Sequence, residues 1–141
     1  MNLSLAQALT IITGAFAAGS KSLFKPLTVI VLDAGGHVIA AERQDGSSNK
    51  RFEVAYGKAH GAVSLGMGSR ALMARAEQQP FFIAAVTHSV GALIPVPGGV
   101  LVRDHDGCLL GAVGVSGDSS DNDEAAALAG IHSAVLVGQT D

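Results

Sequence analysis

Three groups of residues in this chain are of types that can do chemistry. The first is the corner Pro97-Gly98-Gly99. Proline removes an amide donor and fixes φ, and two glycines allow a sharp bend with exposed backbone amides, which can hold a ligand or simply turn one strand into the next. The second is Glu124, spaced i, i+4, i+7 and i+11 with Leu128, Ile131 and Val135, which puts a carboxylate on the inward face of a helix. One reading makes Glu124 a helix N-terminal acid facing the macrodipole, worth about 0.3–1 kcal/mol. The other makes it a partly buried carboxylate whose pKa desolvation raises into the range of a general acid or base. The third is Lys58, at the edge of the apolar face formed by Phe52, Ala55, Ala59, Ala62, Val63 and Gly66, either solvated or placed to bind a carboxylate. His60 falls on the opposite flank of that face, so the two should not line one small pocket.

Gly117 hands the strand GAVGVSG directly to the last helix. The corner, the end of that strand and the start of the helix are therefore expected to converge on a small-molecule pocket that favours an anionic group. In it Lys58 would supply the counter-charge to Glu124. Lys58 or Arg43 would anchor a carboxylate-bearing metabolite near the Gly98 and Gly99 amides, and Glu124 would shuttle a proton without any cofactor. Spacing alone does not choose among isomerase, lyase and hydrolase chemistry. The five histidines form no HxxxH, HExxH or Cys-His pattern, which argues against catalytic zinc. His37 and His105 sit at turns, His88 shares an apolar side with Phe81 and Ala85 and reads as a core or interface histidine, and His60 reads as a surface or subunit-contact one. Cys108 reads as a small core residue with no arrangement to activate a thiolate.

These side chains need elements to position them. Ser4 with Gln7 forms a capping-box pattern, and Leu5, Leu9, Ile12 and Phe16 recur at helical spacing until Gly19. LTVIVLDAGGHVIAAER is a β-branched run, a glycine turn and a second apolar run, the pattern of a hairpin. RDHDGCLLGA repeats its layout, aligning Asp104 with Asp33 and Gly107 with Gly36. Between the two hairpins, a helical stretch from about Arg51 to Gly91 breaks near Gly66 to Ser69 and at Pro80. SSDNDEAAALAGIHSAVLVG closes the chain as a helix with acids at its N-terminus. The glycine triplet of GAVGVSG, Gly111, Gly114 and Gly117, marks a strand against which a helix or ligand packs closely. The order gives an α+β fold, an antiparallel sheet of about five strands with helices packed on it.

Composition bounds the function. The 141 residues fit one domain, 1–141, able to bury a core. Hydrophobic residues are 48% and charged residues 15%, so part of the apolar surface is expected to be covered by other copies of the chain. With net charge -3 and nine scattered basic residues, neither nucleic acid nor an anionic membrane is an expected partner. One cysteine excludes an internal disulfide, and no basic flank or cleavage signature opens the chain, so a cytoplasmic location is expected.

VIVLDAGGHVIAAERQDG, YGKAHGA, PVPGGVLV, DGCLLGAVGVSGD and DNDEAAALAGI resemble successive signatures of the GlcG/HbpS family of heme-binding proteins, whose domain also occurs as the C-terminal part of PduO-type proteins. The resemblance runs from about Leu3 to Ile131. It implies a profilin-like or PAS-like α-β-α sandwich, a homo-oligomer such as an octamer, and association with heme or a related tetrapyrrole. In that setting Lys58 becomes a candidate for a heme propionate, and His60 and His88 become candidate heme ligands. The chain departs from the family around this pocket. His60 stands where relatives carry an aromatic or small polar residue, FFIAAVTHSVG replaces a smaller, more polar stretch, and Arg43-Gln44-Asp45-Gly46 replaces Arg-Met-Asp-Gly. Two functional classes therefore stand side by side: an oligomeric heme-binding protein, and a cofactor-free enzyme acting through Glu124.

The sparse charge predicts assembly. Light scattering at micromolar concentration is expected to give a multiple of the 14.2 kDa subunit mass, and a monomer mass would overturn that expectation.

Overall fold

The computed structural model describes residues 2–141. Helix α1 (Leu5–Lys21) is followed by strands β1 (Thr28–Asp33) and β2 (Val38–Arg43), then helices α2 (Arg51–Leu65), α3 (Ser69–Gln78) and α4 (Pro80–Val90). Strands β3 (Gly99–Arg103) and β4 (Leu109–Ser116), helix α5 (Ser120–Ser133) and strand β5 (Val137–Gln139) complete the chain. The five strands form one antiparallel sheet in the order β2-β1-β4-β3-β5. Among the described residues no helix is long and apolar enough to cross a membrane.

Alternation along the strands builds two cores. Val29, Val31, Val100, Val102, Val113 and Val115 point to one face and pack with Ile11, Ile12 and Ala15 of α1 and Ala126, Ala127 and Ile131 of α5. Ile30, Leu32, Leu101 and Ala112 point to the other and meet Ala55, Ala59 and Ala62 of α2. The result is an α-β-α sandwich. Its two hairpins use one device: Asp33 Oδ1 accepts from the Gly35 and His37 amides, and Asp104 Oδ1 from the Asp106 and Cys108 amides. Gly36 (φ 84°) and Gly107 (φ 86°) take the left-handed conformation that closes each turn.

Helix breaks fall where the backbone requires them. Gly66 ends α2 in the left-handed conformation at φ 72°, and Pro80 occupies the first turn of α4, where its missing amide costs nothing. Three expectations are corrected. The last helix stops at Ser133 instead of running on to Gly138; Val135, read as a core residue on its face, lies at φ 59° and is 74% exposed. The chain after it pairs as β5 along β3, covering an edge that would otherwise carry unpaired amides. His88, read as a core or interface residue, is not in the core: α4 packs inward through Ile83, Val86 and Val90, which leaves Phe81, Ala85 and His88 facing out. Cys108 is exposed at its turn and not in the core.

Helix α2 lies close on β4. A Cβ at Gly114 would run into the Ala55 carbonyl oxygen and come 3.0 Å from the Ala59 side chain, so the helix seats only because that position has no side chain. Gly114→Ala is therefore expected to lower stability by about 1–3 kcal/mol, the cost of overpacking against backbone. A lower urea midpoint at unchanged slope would show it.

Candidate functional site

The Pro97-Gly98-Gly99 corner, the end of β4 and the start of α5 do come together. The Val115 amide donates to the Gly98 carbonyl at 2.9 Å. The Gly99 amide, expected to be free for a ligand, donates instead to Ser69 Oγ at 2.7 Å, and Ser69 Oγ lies 3.2 Å from the Gly99 carbonyl to which it donates. Pro97, Gly98 and Gly99 are all buried. A side chain at Gly98 would collide with the Lys58 side chain, and one at Gly99 with the Lys58 backbone carbonyl and with Ser69. Gly117 packs against Pro26 and Leu27 of the chain leading into β1.

Lys58 is not the counter-charge of Glu124. Its Nζ donates to Asp123 Oδ2 and to the Val115 carbonyl, each at 3.0 Å, and both charged side chains are 2% exposed. Helix α2 lies on one face of the sheet and α5 on the other, so this pair joins the two helix layers around the ends of β3 and β4. Burial pushes the Lys58 ammonium below its ordinary range while the Asp123 charge pulls it back up; burial likewise raises Asp123, with Lys58 opposing. Asp123 Oδ1 accepts from the Asp118 amide, and Asp118 in turn holds the Lys25 and Ser119 amides and the Asn122 side chain. Those donors, the Lys25 amide first, bring Asp118 down to about 2.

Glu124 faces inward and is 8% exposed. Its partner is Arg70, the residue after Ser69, whose Nε donates to both carboxylate oxygens at 3.1 Å while Nη2 reaches Asp121. These acceptors, Glu124 first, raise the Arg70 pKa further above its ordinary value. Arg43 does not join the cluster: it is exposed at the end of β2, opposite Thr28. Strands β1 and β4 separate it from β3, three strand spacings or about 14 Å. Sequence reasoning missed Asp123 and Arg70. Asp123 shares a face with Ala127 and Gly130 at i, i+4 and i+7, all buried, but small residues give a weak apolar signal. Arg70 meets α5 only through the tertiary fold.

His60 lies on the other flank of α2. Phe52, Tyr56 and His60 recur every fourth residue and stack, with ring centroids 6.2 Å apart for the first pair and 5.1 Å for the second. His60 Nδ1 is 2.9 Å from the Ala92 carbonyl. Two open clefts are lined by other residues. One, of about 360 Å³, is lined by Leu9, Thr10, Thr13, Gly14, Ala17 and Ser133; the other, of about 540 Å³, by Phe24, Pro26, Gln44 and Asp45.

The buried pair yields a stability test. Lys58→Met leaves Asp123 charged, buried and unpaired and is expected to cost about 3–5 kcal/mol. Adding Asp123→Asn keeps the acceptor for the Asp118 amide and removes the stranded charge, so the double variant should be less destabilised than the sum of the single changes, read by a denaturation cycle.

No curated protein matches the chain. Among solved structures, the PduOC–heme complex superposes with a TM-score of 0.85 at 24% identity, covering 97% of this chain and 98% of that one. HbpS of Streptomyces reticuli, in a double-mutant form, gives 0.81 at 27% identity, covering 94% and 86%. The ORFY protein of Klebsiella pneumoniae gives 0.83 at 23% identity, covering 94% and 90%. The family model described as haem degrading protein HbpS-like matches residues 3–132, and with nearly the whole chain inside that match and the sandwich shared throughout, the chain belongs to the HbpS-like family.

Proposed function

We propose that this chain binds heme or a related tetrapyrrole, acting as an assembly of identical subunits in the cytoplasm. The observation that carries the reading is the match of residues 3–132 to a family described by haem chemistry. Heme places modest demands on a protein: four equatorial nitrogens belong to the macrocycle, so the chain supplies one or two axial donors, apolar surface for the ring and cations for the propionates. When bound, the iron supplies the redox and oxygen chemistry; the chain's residues hold and orient the ring and control access to it. The alternative, cofactor-free acid–base chemistry at Glu124, meets a carboxylate already held by Arg70 and a lysine already held by Asp123 and the Val115 carbonyl. Neither group is left unspent for a substrate.

Hemin titrated into the purified full-length chain is expected to give a Soret band that saturates near one heme per subunit. Spectra that remain those of free hemin throughout the titration would overturn the reading.

A further inference from the structure

At the Gly98–Gly99 end the Gly99 amide, Ser69, Lys58, Asp123, Arg70 and Glu124 are held by one another or by backbone, whereas on the other flank of α2 one nitrogen of His60 is not. The Ala92 carbonyl can only accept, so the His60 nitrogen 2.9 Å from it is the protonated one, Nδ1–H. In the neutral ring the lone pair is then on Nε2. No protein group bonds that atom, and among the described residues no fully buried side-chain nitrogen or oxygen lacks a partner, so Nε2 is unpartnered and not fully buried. An imidazole whose Nδ1–H is pinned to a backbone carbonyl is fixed in tautomer and orientation, the usual state of a histidine that ligates metal through Nε2.

The surroundings of His60 fit a flat apolar ring. The edge of the imidazole faces buried Gly36 of the β1–β2 turn, where a Cβ would stand 3.2 Å from Cδ2 and 3.5 Å from Nε2, so a side chain there would crowd the ring. Phe52 and Tyr56 continue the aromatic stripe along α2, and Phe52 is 39% exposed. Opposite the stripe, β2 turns Val38, Ala41 and Arg43 to the same face of the sheet as α2, since they pair with Leu32, Ile30 and Thr28. Val38 is 50% exposed, and Ala41 and Arg43 are exposed too. The shelf is thus apolar along its length, with an unspent nitrogen near the turn and a guanidinium at the far end of β2. That charge pattern complements a planar apolar molecule bearing carboxylates.

We propose that this shelf between α2 and β2 is the seat of the tetrapyrrole, with His60 Nε2 as the axial nitrogen donor and Arg43 as the partner of a propionate. The proposal rests on the heme reading, and it gives Arg43 a role apart from the Gly98–Gly99 cluster. Lys58 and His88 have no part in it.

The test is hemin titration of the full-length chain followed by absorption and low-temperature EPR. His60→Asn keeps a side-chain amide to donate to the Ala92 carbonyl and removes Nε2. It is expected to weaken hemin binding at least about tenfold, to move the Soret maximum, and to regain the wild-type spectrum when free imidazole is added. Arg43→Gln should weaken binding about two- to fivefold, the weight of one exposed ion pair, without moving the maximum, and His88→Ala should change neither. Circular dichroism and the oligomeric mass of each variant establish that its fold is kept. If wild-type protein takes up hemin but His60→Asn and His60→Ala give the same Soret maximum and EPR signal, the shelf assignment is overturned while the heme reading stands. If wild-type protein takes up no hemin saturably, both fall together.

Discussion

Burying an ammonium group is the constraint on which the rest of this structure depends. Lys58 emerges from a helix on one face of the sheet and ends on a carboxylate from a helix on the other, with both charges out of water. Such a pair is tolerated only when its geometry is complete, because desolvation costs several kcal/mol per ion. The Val115 carbonyl, the Asp118 amide and the Asp123 carboxylate must therefore all be in place at once. Room for the lysine chain exists because Gly98 lacks a side chain, and Gly99 lets the α2 backbone at Lys58 come close. The alanines and glycines that let α2 lie close to β4 bring Lys58 within reach. Small residues in the sheet and on the helix are thus one arrangement viewed from its two sides.

This arrangement spends the groups that look chemically capable. The corner amide is taken by Ser69, Glu124 by Arg70, and Lys58 by Asp123. What remains is the opposite flank of α2, where a stacked aromatic stripe ends in a histidine with one committed nitrogen and one uncommitted. If the proposed seat is used, the ring surface would govern affinity. Each 100 Å² of apolar surface taken from water contributes about 2.5 kcal/mol, against about 1 kcal/mol at most for an exposed ion pair. In that seat the histidine and the arginine would set orientation while adding a smaller share of the strength. The outward apolar side of α4, with Phe81 88% exposed, accords with the subunit contacts that so few charges suggest.

Much of the fold was legible in the residues. The paired Asp-x-Gly-Gly and Asp-x-Asp-Gly turns named both hairpins because a short carboxylate and a left-handed glycine close such turns locally. Ser4 and Gln7 marked the start of α1 for the same reason: each bonds the other's amide within one turn. The end of α5 was illegible, since helical periodicity runs on through Val135 and Leu136 and only the unpaired edge of β3 draws the chain out as a strand. The inward direction of Glu124 followed from its spacing, but its partner did not: Arg70 is 54 residues away, on a helix whose placement depends on the packing of α2 and α3.

The sequence by itself determined the α+β class, the two hairpins, the helix breaks, and the convergence of the Pro97-Gly98-Gly99 corner with Gly117 and the start of the last helix. Each of these is written in local bonds or in short connections that leave the chain no other course. Only the tertiary structure decided that Lys58 belongs to Asp123, that Arg43 stands strands away from the corner, and that His60 keeps a free nitrogen above a shelf of β2. Ion pairing and ring orientation depend on which elements become neighbours across the sheet, and side-chain type and spacing along one helix carry no record of that.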